Sequence, residues 1–151
     1  MSPRPRVATS AEVEDLFAIR TSVIENHQSR EELADLGITP ESVAAMLAAD
    51  CRAWICDLDG VPAAFSMAKA GERTVFAVFV RPEAEGRGLG RALLEAAESW
   101  LFAQGAAEIW LTTGLDPTLR AHRLYEAAGW RAGDVTADGQ RLYTKARPAG
   151  A

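Results

Sequence analysis

The sequence has little cysteine, and what it has is not placed for a disulfide framework or a metal site. Cys51 and Cys56 are the only cysteines among 151 residues. Neither has a second cysteine pair or histidines at the spacing that a structural zinc site needs. We therefore expect both thiols to be reduced and to pack in the interior, and we expect no bound metal.

The sequence also lacks clustered positive charge and long apolar runs. Lys and Arg number 16 against 21 Asp and Glu, for a net charge of −5, and the arginines are scattered, which argues against duplex nucleic acid as a partner. The start, "MSPRPR", leads into polar and acidic residues rather than an apolar signal segment, and no run is long enough to span a bilayer. We expect a soluble, cytoplasmic protein with no membrane partner.

The composition is that of a globular domain. Hydrophobic residues make up 48% and charged residues 25% of the chain, which is enough apolar surface for a full core at this length. No internal repeat, low-complexity tract or Pro/Gly/Ser linker divides the sequence. We therefore predict a single domain over residues 1–151.

The first half of the chain predicts two helices and then three strands. Thr9 and Glu12 have the spacing of a capping box, and the stripe after them predicts a helix from about Ser10 to about His27. The segment "TPES" starts a second helix. The runs "RAWICDL", "PAAFSMAKA" and "TVFAVFV" are separated by short turn signals, which predicts antiparallel neighbours. The third run is apolar throughout, as in a central strand that is covered on both faces.

The second half alternates helix and strand. An apolar stripe from Leu89 predicts a helix that Gly105 closes, the strand "EIWLTT" follows, and another helix ends at Gly129. "WRAGDV" and "QRLYTKA" predict a closing hairpin. The order ααβββαβαββ, with a short extra strand at about residues 6–8, predicts an α/β (α+β) fold. Its mixed, mostly antiparallel sheet has helices on both faces and one parallel pair of strands, from the strand-helix-strand unit.

The segment "PEAEGRGLGRALLEA" places Gly86, Gly88 and Gly90 where the central strand gives way to a helix. Unpaired N–H groups face outward at the positive end of a helix dipole, and glycine lets an anion approach the main chain closely. The pattern is typical of a phosphate site, although a glycine cluster taken alone is more often a tight turn. Its spacing, G-x-G-x-G, matches neither the Rossmann fingerprint nor the P-loop, which disfavours a nucleotide-binding α/β domain.

Two segments in order resemble the GNAT superfamily of N-acetyltransferases. "VFVRPEAEGRGLGRALL" looks like its acetyl-CoA signature, in which a central strand ends in x-Val-x-Pro and runs into (Gln/Arg)-x-x-Gly-x-(Gly/Ala). Further along, "RAHRLYEAAGWR" is similar to the family's A-x-x-(Leu/Phe)-Tyr-x-x-x-Gly-(Phe/Trp) helix end. Two motifs in the right order are more specific than either alone. The resemblance covers about residues 52–146.

The resemblance implies acetyl-CoA as cofactor and a GNAT-like sheet whose two parallel strands splay apart to admit the pantetheine arm. Main-chain groups of Phe79 and Val80 would bind that arm. The pyrophosphate would be held by main-chain N–H groups of Gly86, Arg87, Gly88, Leu89, Gly90 and Arg91. Similar proteins are often dimers, so a homodimer is left open.

Two residues depart from the family pattern. Glu85 stands where the family has Gln or Arg, and a carboxylate beside a pyrophosphate is repulsive unless it turns to solvent. Thr118 stands where the family often has Asn, so that contact to the cofactor is shortened or lost. Both keep open an alternative function, that of a non-catalytic acyl-CoA-binding regulatory domain.

For catalysis, the resemblance implies that Tyr125 is the general acid, with its hydroxyl near the CoA sulfur and the N–H of Val80 stabilising the oxyanion. Without the motif, Tyr125 would read equally well as a core tyrosine with its hydroxyl at the rim. The reaction expected is direct acetyl transfer to a primary amine of a small molecule or a protein. The negative net charge weakly favours a cationic acceptor.

The general base and the acceptor contacts stay open among several residues. Glu72 precedes the central strand, while Glu25 and His27 lie at the end of the predicted first helix, which borders the acceptor pocket in similar proteins. His27 suits proton removal because imidazole titrates near neutrality, although a structural role or a water base is also possible. Arg20, on the same helix, pairs either with a substrate carboxylate or with an acid of the protein, such as Glu25.

Overall fold

The computed structural model describes residues 4–24, 27–116 and 120–149, and it contains five helices and one seven-stranded sheet within them. The helices are α1 (Val13–Arg20), α2 (Arg30–Asp35), α3 (Pro40–Ala48), α4 (Leu89–Ala103) and α5 (Arg120–Ala127). The strands are β1 (Arg6–Val7), β2 (Cys51–Leu58), β3 (Val61–Lys69), β4 (Thr74–Val80), β5 (Glu108–Thr113), β6 (Arg131–Val135) and β7 (Arg141–Ala146).

The sheet has the strand order β1-β2-β3-β4-β5-β7-β6. Every neighbouring pair is antiparallel except β4 and β5, which are parallel. This confirms the predicted mixed, mostly antiparallel fold with one parallel pair. The closing hairpin is also confirmed, and its second strand, β7, is the one that lies beside β5.

The predicted first helix is wrong in its C-terminal part. After a short 3₁₀ turn at Ser10–Glu12, α1 ends at Arg20 rather than near residue 27. The hydroxyls of Thr21 and Ser22 donate to the carbonyls of Phe17 and Ile19 at 2.9 and 2.6 Å, and side chains of this kind compete with continued helix.

The segment after α1 contains a helix that the sequence reasoning missed. The short helix α2 is capped by Ser29, whose side chain accepts from the N–H of Glu32 at 3.1 Å. The Glu32 carboxylate accepts in turn from the N–H of Ser29 at 3.0 Å, which completes a capping box. The spacing of these two residues was therefore a usable local signal.

Apolar residues cover both faces of the sheet because side chains alternate along β2 and β3. On β2, Ala53 and Ile55 pack with α1 to α3, whereas Trp54 and Cys56 pack on the opposite face, which α4 covers. The predicted placement of helices on both faces is confirmed. No helix in the described ranges has both the length and the apolar character required for a membrane span.

A buried polar network ties α4 to the end of α5. Glu98 is 6% exposed, and its carboxylate accepts from the indole N–H of Trp130 at 2.8 Å and from Lys145 Nζ at 2.7 Å. Lys145 Nζ also donates to the carbonyl of Ala128 at 2.8 Å. Because a buried charge is tolerated when it is paired and hydrogen-bonded, this network fixes the C-terminal end of α5 against the sheet.

The parallel strands β4 and β5 meet at one end and separate at the other. Their ladder holds the single pair Thr74–Trp110, with Thr74 Oγ1 donating to the Trp110 carbonyl at 2.7 Å. Beyond that point β4 stays paired with β3 as far as Val80, while β5 stays paired with β7 as far as Thr113. A gap therefore opens towards the carboxyl ends of the two strands.

The gap changes the environment expected for β4. From Phe76 to Val80 the strand is half-buried rather than covered on both faces. These residues line a cleft, and their apolar side chains form its wall.

Candidate functional site

A cleft of about 690 Å³ runs along the sheet at the gap between β4 and β5. Its walls come from α1, β4, the segment between β4 and α4, the end of β5 and the helix α5. Residues from each of these parts include Arg20, Phe79, Gly86, Thr112 and Tyr125. Sites of this kind form where the carboxyl ends of neighbouring parallel strands diverge.

The glycine loop, residues 85–91, supplies one end of the cleft. Gly86 and Gly88 have φ of +77° and +80°, a left-handed conformation that other residues adopt at a cost. Gly88 is the N-cap of α4. A Cβ built on Gly86 would meet no atom within 4 Å, so the main chain there faces open space.

The N–H groups of residues 86–91 in the glycine loop have no acceptor among the described residues. The first N–H to close a turn of α4 belongs to Ala92, which donates to the carbonyl of Gly88 at 3.1 Å. The six preceding amides, of residues 86–91, donate in none of the hydrogen bonds within the described ranges. Unpaired amides at a helix N-terminus form a site for an anion.

The register of β4 decides which of its main-chain groups face the gap. The N–H of Arg81 donates to the carbonyl of Ala63 at 2.9 Å, and Phe79 pairs with Phe65 two residues earlier in the same ladder. In an antiparallel ladder, alternate residues direct their N–H and C=O to the same neighbour. Phe79 therefore turns its main-chain groups to β3, and the main-chain groups of Val80 and Val78 face the gap.

Glu85 is paired with a cation. Its carboxylate lies 3.1 Å from a guanidinium nitrogen of Arg120, at the start of α5. The two side chains are 34% and 64% exposed, so solvent screens the pair. Thr118, the other departure from the family motif, lies outside the described residues.

Tyr125 lies in the cleft wall on α5 and is 7% exposed. Its ring contacts those of Trp130 and Tyr143, with centroids 6.1 and 5.5 Å away. Burial, with a smaller contribution from Tyr143, raises the pKa of the Tyr125 hydroxyl to about 12. The hydroxyl therefore keeps its proton throughout the neutral and mildly alkaline range.

Tyr143, which supports the Tyr125 ring, is itself held by polar partners. Its hydroxyl lies 2.8 Å from Nδ1 of His122 and 3.1 Å from the Glu126 carboxylate. His122 Nε2 lies 2.8 Å from the carbonyl of Gly114 and must donate to it, because a carbonyl only accepts. This network connects α5 to β7 and to the residue that follows β5.

Of the residues predicted as candidates for the general base, one lies in the cleft and another lies outside it. Glu72 lines the cleft, and its carboxylate lies 3.5 Å from Lys69 Nζ. His27 has an exposed side chain, is not among the lining residues, and hydrogen-bonds the carbonyl of Val23 through Nδ1 at 2.9 Å. Glu25 lies outside the described residues. The cleft therefore includes Glu72 and leaves His27 outside it.

Several lining residues were not identified from the sequence. Thr112 and Thr113 lie at the carboxyl end of β5, a position where ligand sites form and where the strand pattern already offered a signal. Lys69 and Arg120 also line the cleft. No local sequence pattern identifies these two residues, because the ion-pair partner of each, Glu72 for Lys69 and Glu85 for Arg120, lies outside the strand or helix that contains it.

Comparison with known proteins agrees with this geometry. The model of the acetyltransferase (GNAT) family matches residues 11–130 of the chain. No curated protein matches the chain in a sequence comparison.

Solved structures share the fold at low identity. PaiA N-acetyltransferase from Thermoplasma acidophilum, in complex with coenzyme A, has a TM-score of 0.81 and 17% identity over 97% of this chain and 100% of that chain. A phosphinothricin acetyltransferase from Sinorhizobium meliloti, in complex with AcCoA, has a TM-score of 0.76 and 19% identity over 97% and 89%. The ribosomal-protein-S18-alanine N-acetyltransferase from Escherichia coli has a TM-score of 0.70 and 19% identity over 94% and 90%.

Proposed function

The chain belongs to the acetyltransferase (GNAT) family, and on that premise we propose that it transfers the acetyl group of acetyl-CoA to a primary amine by direct attack. The observation that carries the proposal is the coexistence, in one cleft, of a row of unpaired loop amides and a buried, protonated tyrosine. The first suits a phosphate-bearing cofactor, and the second suits proton donation.

The described residues fit coenzyme A by the chemistry of their donors. The amides of residues 86–91 are free to bind the pyrophosphate, and the open space above Gly86 lets phosphate oxygens approach them. Val78 and Val80 present main-chain groups to the gap, where they would hydrogen-bond the amide-rich pantetheine arm. Arg87 and Arg91 would add positive charge.

Acetyl-CoA supplies an activated acetyl thioester, so the protein's part is positioning and proton transfer. The N–H of Val80 would donate to the acyl oxygen as negative charge develops there. The Tyr125 hydroxyl would donate to the departing sulfur. Burial raises the free energy of a thiolate, as it does that of a phenolate. A proton donated to the sulfur therefore helps CoA to leave.

Glu72 would take the proton of the amine, because it is the predicted base that lines the cleft. Its carboxylate lies 3.5 Å from Lys69 Nζ, and the side chain is 60% exposed, so that water can reach it. The amine must lose its proton before attack, and a carboxylate near the mouth of the cleft can pass that proton to water.

The alternative of a non-catalytic regulatory domain is less well supported. The reasons for it were the two departures from the family motif, Glu85 and Thr118. The ion pair with Arg120 partly neutralises the Glu85 carboxylate and so weakens the first reason. Calorimetry with acetyl-CoA and CoA, followed by measurement of CoA thiol release across a panel of amines, tests the proposal directly. Binding of acetyl-CoA without turnover on any class of amine would favour the regulatory function.

The two thiols of the protein should not react with the reagent that detects CoA thiol in that assay. Cys51 and Cys56 are 8% and 1% exposed, and burial raises the pKa of each thiol to about 11. We expect the native protein to react with an aromatic disulfide at pH 8 at least about 100-fold more slowly than free cysteine, since the thiolate is the reactive form. Denatured protein should titrate both thiols at once. Rapid reaction of the native protein would show that β2 opens readily.

Glu85→Gln is expected to strengthen acetyl-CoA binding about 3-fold at low ionic strength, because it removes a partly screened repulsion. The gain should disappear between about 0.05 M and about 0.5 M salt. Glu83→Gln makes the same charge change at an exposed residue outside the cleft lining and should leave the Kd unaltered. Weaker binding by Glu85→Gln would mean that the pair with Arg120 positions α5 and outweighs the repulsion.

A further inference from the structure

Arg20 is a buried cation in the wall of the cleft. It is the last residue of α1 and is 8% exposed. Its guanidinium carbon lies 4.2 Å from the centre of the Phe79 ring, and Nη2 donates to the side-chain carbonyl of Gln28 at 2.8 Å. These contacts hold the guanidinium over the Phe79 ring of β4, one residue before Val80.

The other terminal nitrogen of Arg20 has nothing to bind within the described ranges. Nη1 is buried and has no hydrogen-bond partner. No carboxylate in residues 4–24, 27–116 or 120–149 forms an ion pair with Arg20. Burial lowers the pKa of the Arg20 guanidinium, and the attraction of Glu32, which raises it, is the smaller effect. A buried donor without an acceptor is costly, and a buried charge without a counter-charge more so.

We propose, on the basis of the function proposed above, that Arg20 binds a carboxylate of the acceptor, and that the acceptor amine therefore belongs to an amino acid. Nη1 and a second N–H of the guanidinium donate to the two carboxylate oxygens, whose spacing matches that of the guanidinium N–H groups. The ligand completes the hydrogen bonding that the protein leaves unfinished.

The position of Arg20 limits the distance between the carboxylate and the reacting amine. Arg20 lies over Phe79, and Val80, the next residue, carries the N–H assigned to the acyl oxygen. A carboxylate held there leaves room for only a few bonds before the attacking nitrogen. This favours free amino acids over polyamines, lysine side chains and the N-termini of long peptides. Glu72, in the same cleft, complements the positive amine of such a zwitterion.

The test compares matched acceptors in the CoA thiol-release assay. Each amino acid is paired with the amine that lacks its carboxylate, such as phenylalanine with phenethylamine and leucine with isoamylamine, and with its amide. We expect kcat/KM for the preferred amino acid to exceed that of its paired amine by about 30-fold or more, since losing one partner of a buried charge pair has effects of that size. Equal use of both members of the pairs, or a preference for aminoalkyl phosphates or sulfonates, would overturn the carboxylate assignment.

Variants of Arg20 separate binding from a structural role. Arg20→Met should raise KM for the amino acid about 30-fold and change the KM for acetyl-CoA and the kcat/KM for the paired amine by no more than about 3-fold. The Tm should stay the same or rise, because an unpaired buried charge is removed. Arg20→Lys should recover part of the amino-acid KM. A lower Tm with equal losses on amino acids and amines would assign Arg20 a structural role and contradict the proposal.

A direct binding measurement keeps this inference apart from the proposed function. If no amine is turned over, calorimetric titration of the acetyl-CoA-saturated protein with the same amino acids and amines still reports on Arg20. Binding that requires the carboxylate and is lost in Arg20→Met would support the site without catalysis. Absence of carboxylate-dependent binding in the wild-type protein would overturn it.

Discussion

Tyr125→Phe is expected to lower the turnover number for acetyl transfer about 100-fold, and by no less than about 10-fold, with the Kd for acetyl-CoA changed less than about 3-fold. The substitution removes one hydroxyl and keeps the ring, which packs against Trp130 and Tyr143. Turnover should therefore fall because the departing sulfur loses its proton donor, while the shape of the cleft is preserved.

The pH profile gives a second measurement of the same role. Because the pKa of Tyr125 is raised to about 12, the protonated form dominates at every pH below that value. The wild-type turnover number should therefore show no alkaline decline from this group up to about pH 10. A loss of activity near the ordinary tyrosine pKa would show that the hydroxyl is not shielded in the working enzyme.

Tyr143→Phe is the matched control, since Tyr143 is the other tyrosine of the chain and is not among the cleft-lining residues. It should lower stability, because His122 and Glu126 lose a buried hydrogen-bond partner. Turnover should change less than about 3-fold. Unchanged turnover in Tyr125→Phe would contradict the assignment of Tyr125 as the acid.

Gly86→Asp is expected to weaken acetyl-CoA binding about 1,000-fold, measured by calorimetry. A unit charge about 4 Å from a phosphate charge interacts by about 4 kcal/mol at an effective dielectric constant of about 20, which corresponds to about 1,000-fold in Kd. The new carboxylate would also bind the loop amides that the phosphate needs. Asp accepts the left-handed conformation of Gly86 better than most residues, so the fold should survive.

Two control variants isolate the charge at this position. Gly86→Asn adds a side chain of the same shape without charge and should weaken binding by about 10-fold or less. Gly60→Asp is placed in the turn between β2 and β3, with a similar φ of +79° and open space around it, and should bind acetyl-CoA normally. Equal binding by Gly86→Asp and Gly86→Asn would mean that no phosphate lies over the loop.

The strands could be predicted closely from the sequence. The runs "TVFAVFV" and "EIWLTT" coincide with β4 and β5, and the other long strands begin or end within one residue of the predicted bounds. Apolar and β-branched residues, with turn signals between them, are local features that a strand requires. The first helix failed because an apolar stripe continued past Arg20 while hydroxyl side chains ended the helix.

The candidate site could be predicted only in part. The glycine loop and Tyr125 were identified from motifs, whose residues lie close together in the sequence. The ion pair of Glu85 with Arg120 and the placement of His27 outside the cleft could not be predicted, because both depend on how α1, α5 and the loop sit around the gap. The roles of the glycine loop in binding and of Tyr125 in catalysis stay predictions, which the Gly86 and Tyr125 variants test.

By itself, the sequence determined the strands, the long helix α4 and the glycine loop before it, since periodicity and turn chemistry act over a few residues. Its motifs also determined the family to which the chain is similar. Only the tertiary structure decided where β4 and β5 separate and which main-chain groups face the gap. It also decided that Arg20, among the described residues, meets an aromatic ring and an amide instead of a carboxylate. These outcomes depend on residues far apart in the chain, and they are set by strand order and packing, which no local pattern encodes.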